Sequence, residues 1–151
     1  PEPGLVDPGC ERGGWTMGMD ERFEQGMATR RSVLGDAHVD RAEERKTSFD
    51  ADFQRLITEM AWGSVWTRPG FTKRERSIVT VTLLAALGHH EEFAMHVKAM
   101  RRTGATIEDL QELLLHVAIY AGVPAANTCI AIAKQVFAEG EGPHAREGQD
   151  T

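Results

Sequence analysis

Apolar positions fall into helical rows from Asp20 onward, interrupted at intervals by glycine and proline. Asp20 is placed to cap a helix that ends near Gly35, and Ser48 or Asp50 to cap a second. In that second run Phe53, Leu56, Ile57 and Met60 share a face before Gly63, and residues 63–70 read as a loop. Thr72 and Glu75 form a capping-box pattern that opens a third helix through Ile78, Val81, Leu84 and Leu87 to Gly88. Its β-branched stretch suits a strand, but the box, the length and the alanines favour helix. Phe93, Val97 and Met100 repeat at i, i+4, i+7 in a fourth helix, which finishes at Arg101, Arg102 and Gly104.

Thr106, with Asp109 three residues on, begins a fifth helix. Leu110, Leu113, Leu114, Val117 and Ala121 form one stripe of it, and Leu115 and Ile119 load the other side. A helix apolar on two sides needs cover on both, which points to an oligomer. Pro124 stands at the first position of a last helix, and residues 140–151 are polar and expected to fray. The pattern predicts an all-α helical bundle over residues 20–139, between a Gly/Pro-rich leader or linker at 1–19 and a polar tail at 140–151.

With 151 residues, 41% hydrophobic and 26% charged, the chain has the size of one domain with a full core. No apolar run approaches the length of a bilayer span, so a membrane role is not expected. The net charge of −6 argues against a nucleic-acid partner. Charge is unevenly spread: residues 51–105 carry 5 acids and 8 bases inside an otherwise acidic chain, a distribution suited to steering a small anion. Cys10 and Cys129 are too far apart for a zinc ribbon or a redox pair, in keeping with a cytoplasmic chain.

Two polar stripes carry candidate chemistry. His89, Glu92 and His96 lie within about 60° of one another at roughly 100° per residue, beside the Phe93 and Met100 row. Glu92 accepting from His96 would fix its tautomer and suit proton transfer near neutral pH; the same spacing also serves a plain helix-stabilising pair. A metal site is not expected, because i, i+7 separates the imidazoles by about 10 Å of rise. Glu112, His116 and Tyr120 repeat at i, i+4, i+8 along the otherwise apolar fifth helix, as a cavity lining or an interhelical network. Arg68, Lys73, Arg74 and Arg76 surround the third helix N-terminus, where cations oppose the dipole; that hints at a ligand, although a solvated face has the same look. Trp62 and Trp66 flank the adjacent loop, where they close a pocket or seal the core.

The run RERSIVTVTLLAALGHHEEFAMH, followed by TGATIEDLQELLLHVAIYAGVPAA, resembles the 4-carboxymuconolactone decarboxylases over about residues 19–139. The resemblance implies an alkylhydroperoxidase D-like all-α fold, usually a homohexamer. It also implies cofactor-independent decarboxylation of the lactone to β-ketoadipate enol-lactone and CO2 in protocatechuate catabolism. The peroxidase relatives carry a Glu, a Cys-x-x-Cys pair and a His. Here Ser77 stands near the Glu position, His89 and Glu92 replace the cysteines, and only His96 is kept, so thiol redox chemistry lacks its thiolate.

The roles that follow from the resemblance give His96, oriented by Glu92, as the acid, with His116 and Tyr120 as oxyanion donors. Arg68 and Arg76 are assigned to the carboxylates of a dianionic lactone, and Ser77, His89 and Trp66 to the substrate surroundings. In some bacteria this enzyme is fused to enol-lactone hydrolase, and the leader matches such a linker as well as it matches a cloning remnant. A thiol peroxidase of the same fold and a non-catalytic helical oligomerisation or binding module are the competing classes.

Overall fold

The computed structural model describes residues 18–148. Most of the expected leader, with Cys10, and the last three residues of the tail lie outside the described residues. Seven α-helices follow in order: α1 Met19–Leu34, α2 Asp36–Arg45, α3 Ala51–Ile57, α4 Lys73–Leu87, α5 His90–Thr103, α6 Ile107–Tyr120 and α7 Val123–Ala138. No strand occurs among the described residues.

Local signals set most boundaries. Thr72 and Thr106 each close a full capping box, with Glu75 and Asp109. Gly35, Gly88 and Gly104 leave their helices at positive φ, where a side chain would be strained. Three features depart from expectation. Residues 36–45, to which no periodicity assigned an element, form α2, whose sole residue in the buried class is Val39. The second expected helix does not end at Gly63: α3 runs on as a π-helical segment, Thr58–Val65, closed by an i→i+5 bond from Trp66 N–H to Ala61 O at 2.9 Å. The tail does not fray up to Arg146. Ile107 N–H donates to His144 O, Arg146 N–H donates to Glu108, and the Arg146 guanidinium reaches Asp109.

Glycine explains the π segment. A Cβ on Gly63 would lie 2.2 Å from Arg22 O, and one on Gly26 would lie 2.1 Å from Thr58 O. The backbones of α1 and the π segment therefore touch directly. Gly63 is kept for this approach and not for a helix stop, and a glycine inside α1 is tolerated despite a propensity cost of about 1 kcal/mol.

Helix α5 lies between two apolar clusters. Phe93, Val97 and Met100 join α4, α6 and α7 through Val81, Leu110, Leu113, Val117 and Cys129. Ala99, on the other side, joins Val33, Leu34, Val39 and Trp62. Full burial of side chains such as Phe93 and Met100 contributes about 1.5–3 kcal/mol each. The second apolar side of α6 is open in the single chain, with Leu115 62% and Ile119 78% exposed.

Candidate active site

On the Trp62 side of α5, the π segment and α1 build a nest around His96. The His96 ring stacks on Trp62 at 6.1 Å between centroids and 11° between planes, and on Trp66 at 6.3 Å and 24°. The two indoles are 5.0 Å apart. His96 is 6% exposed and its Nδ1 has no hydrogen-bond partner. Burial, reinforced by the charge of His38 and partly offset by Glu92, lowers its pKa from 6.5 to about 4. His96 is thus a neutral imidazole at neutral pH.

The other expected site residues are placed as follows. His89 is the exposed N-cap of α5, and Glu92 is exposed on its first turn. Glu92 acts on His96 through charge; among the described residues it makes no hydrogen bond to the ring. Ser77, on α4, is fully buried with its hydroxyl unpaired. The cation cluster around the start of α4 is largely committed to the fold. Arg74 forks onto Asp109, Lys73 donates to Ser32, and Arg76 donates to Arg68 O at 2.7 Å while stacking over Phe71. The side chain of Arg68 is exposed. His116 and Tyr120 stack on each other at 5.7 Å on the open side of α6, with Tyr120 84% exposed. Among the described residues neither ring stacks on His96, so the two polar stripes do not form one enclosed site within the single chain. A concavity of about 580 Å³ between α6 and α7 is mainly apolar and shares no lining residue with the His96 nest.

Sequence reading did not single out the polar layer under the nest. Arg30 on α1, 5% exposed, donates to Thr58 Oγ1 at 3.5 Å and Gln54 Oε1 at 3.2 Å. Buried Glu59 faces Arg55 Nε at 2.7 Å, and Arg55 also bonds Asp20. These bonds fix the π segment against α1 and so fix Trp62. The available signal was Arg30 and Glu59 within helical runs, a charge in each that needs a partner once buried. Cys129 is fully buried in the α4–α7 core, and burial pushes its thiol pKa up. Among the described residues no three His, Cys, Asp or Glu side chains converge as a metal requires.

The site is thus an all-α bundle's neutral histidine packed against a pair of touching indoles, with Nδ1 unpaired and no accessible thiol beside it among the described residues. Residues 51–135 match the model of the carboxymuconolactone decarboxylase family, and the chain belongs to that family. It is 44% identical over 121 residues to 4-carboxymuconolactone decarboxylase of Acinetobacter baylyi, covering 80% of this chain and 90% of that one. It is 34% identical over 115 residues to nitrosuccinic acid decarboxylase of Metarhizium robertsii, covering 76% and 80%. A 4-carboxymuconolactone decarboxylase sequence from Pseudomonas putida matches at 53% over 47 residues, 30% of this chain and 98% of the other.

Proposed function

We propose that this chain is a carboxy-lyase that converts 4-carboxymuconolactone to β-ketoadipate enol-lactone and CO2 in protocatechuate catabolism. The observation that carries this reading is the 44% identity spanning 90% of a decarboxylase with that name. The second relative acts on nitrosuccinic acid, again a dicarboxylic acid with an electron-withdrawing group near the leaving carboxylate.

The substrate supplies its own electron sink. The C–CO2 bond breaks, its electron pair passes through the ring alkene to the lactone carbonyl oxygen, and the resulting furan-like oxyanion is protonated on carbon. The protein has to bind a dianion, stabilise the oxyanion and deliver one proton. In this reading His96 delivers the proton, Glu92 tunes it by charge, and Trp66 with Trp62 forms the apolar wall that desolvates the departing carboxylate. In this reading the unpaired Ser77 hydroxyl and His89 belong to the substrate surroundings. Arg68 steers the dianion at the rim, and Arg76 shapes the loop that presents it.

A dianion also answers the low pKa of His96. One negative charge about 5 Å away, at an effective dielectric near 20, contributes roughly 3 kcal/mol, or more than 2 pKa units. Binding would bring the imidazole's pKa back toward neutral pH and favour its protonated form beside the substrate.

His116 and Tyr120 act as oxyanion donors only if a second copy closes over the exposed side of α6. The reading therefore includes a homo-oligomer, a hexamer by the resemblance, that works in the cytoplasm beside or fused to enol-lactone hydrolase. The apolar residues left open on α6 support association. The competing thiol peroxidase is disfavoured by the burial of Cys129. Incubation of purified protein with carboxymuconolactone, followed for CO2 and enol-lactone, tests the reading. No turnover in any buffer would remove it and leave a non-catalytic binding module.

A further inference from the structure

Helix α2 brings a second histidine toward the nest. Gly35 turns the chain into α2, and an ideal Cβ there would lie 2.8 Å from the Arg102 guanidinium carbon, so this α5 side chain lies against the turn. His38, half-buried one turn further on, sits beside Val39, which packs in the same cluster as Trp62. Burial, together with Arg41, Arg30 and Arg102, lowers the His38 pKa and keeps it neutral. His38 and His96 are near enough for charge on the first to disfavour charge on the second. The C-terminal half of α1, the start of α2, the π segment and α5 thus meet along one seam.

Around His38 the charge is positive, from Arg41, Arg30 and Arg102, and hydrogen bonds nearby are unmet. Arg30 faces Glu43 at 3.9 Å, and Arg31 is neutralised by Asp36 and Asp40. Arg102 forms no ion pair among the described residues. Two nitrogens more than nine-tenths enclosed by their residues' burial, Arg30 Nε and His96 Nδ1, have no partner. Buried polar atoms left unpaired cost about 1–3 kcal/mol each, so a seam that keeps two of them beside this positive charge is arranged for a polar, anionic guest.

We propose that His38, Arg30 and Arg102 form a carboxylate seat beside His96. This inference rests on the decarboxylase reading. The seat holds the carboxylate that the reaction retains, His38 donating its neutral ring N–H and the arginines supplying charge. The departing carboxylate then lies toward Trp62 and Trp66, where poor solvation disfavours its charge. The polar and apolar sides of the nest decide which of two carboxylates leaves.

The test uses full-length parent, His38→Gln and Arg102→Gln, with folding checked by circular dichroism. Arg30 is left intact because it also anchors the π segment. The probes are the saturated lactone dicarboxylate, which lacks the ring alkene and cannot decarboxylate, and the monocarboxylate without the retained group, titrated by calorimetry. The parent is expected to prefer the dicarboxylate by roughly 10- to 100-fold, the range of a charge-assisted bond. Each variant should lose most of that preference, and in turnover KM should rise about 10-fold with kcat changed much less. Variants that discriminate like the parent would overturn the seat, as would a parent that binds both probes equally or neither. A parent that discriminates as expected yet never releases CO2 supports the seat while removing the decarboxylase reading.

Discussion

Replacing His96 by Gln should remove a pH-dependent component of stability that its burial creates. The imidazole titrates at 6.5 when solvated and at about 4 in the folded chain. Between these values the unfolded chain binds more protons than the folded one, so stability rises with pH. The contribution is complete above 6.5, erodes as pH falls through that value, and levels off below about 4. At about 1.4 kcal/mol per pH unit the full window amounts to about 3 kcal/mol, of which about 2.5 kcal/mol is lost by pH ~4.5. Urea unfolding followed by circular dichroism near pH 7 and near pH 4.5, on parent and His96→Gln, measures it. Carboxylate titrations are common to both proteins and cancel in the difference. The parent should lose about 2.5 kcal/mol more than the variant on acidification. Equal losses would mean that His96 is not a desolvated neutral ring, and the account of the nest would fail with it.

In turnover, if His96 delivers the proton, His96→Gln should lower kcat by roughly 10²- to 10⁴-fold, and kcat/KM of the parent should fall from acid to neutral pH as the free imidazole loses its proton; a flat profile across that range would point to another acid. Gly63→Ala should destabilise the fold by about 2–4 kcal/mol, since its Cβ meets Arg22 O at 2.2 Å, and should alter the indole fluorescence; an unchanged melting temperature would contradict the backbone contact. Cys129→Ser should keep kcat within a few-fold while costing about 1–3 kcal/mol for a hydroxyl in an apolar core, whereas loss of turnover in the folded variant would revive a thiol mechanism.

Where the controlling interaction is local, the sequence was enough. Both capping boxes and the exit at Gly104 depend on residues within one turn of each other and lie where their patterns put them, while Pro124 falls at the second position of α7, one past the place expected. Helix α2 escaped because one buried valine makes no periodic stripe; it is held by contacts to α1 and the Trp62 cluster. The π segment escaped because its register comes from two glycines 37 positions apart, Gly26 and Gly63, which no window along the chain connects. Periodicity aligned His116 with Tyr120 correctly, but it does not say whether a stripe faces inward, and theirs is exposed. The stripe of His89, Glu92 and His96 carried more information, since its last member ends in the nest. What that stripe lacked was the partner elements, and with them His38 and Arg30.

The π segment also makes the nest sensitive to chain length. A segment bonded i→i+5 holds more residues per turn than an α-helix, so removing a single residue between Thr58 and Val65 would let the ordinary register return. Residues in an i→i+5 turn and an i→i+4 turn stand at different angles and heights, so Trp66 would shift against Trp62 and leave its place on the His96 ring. A change of one codon, with His96 and both indoles unaltered, would take apart one side of the nest. Within this fold, insertions and deletions at that turn reach arrangements of the nest that point substitutions do not.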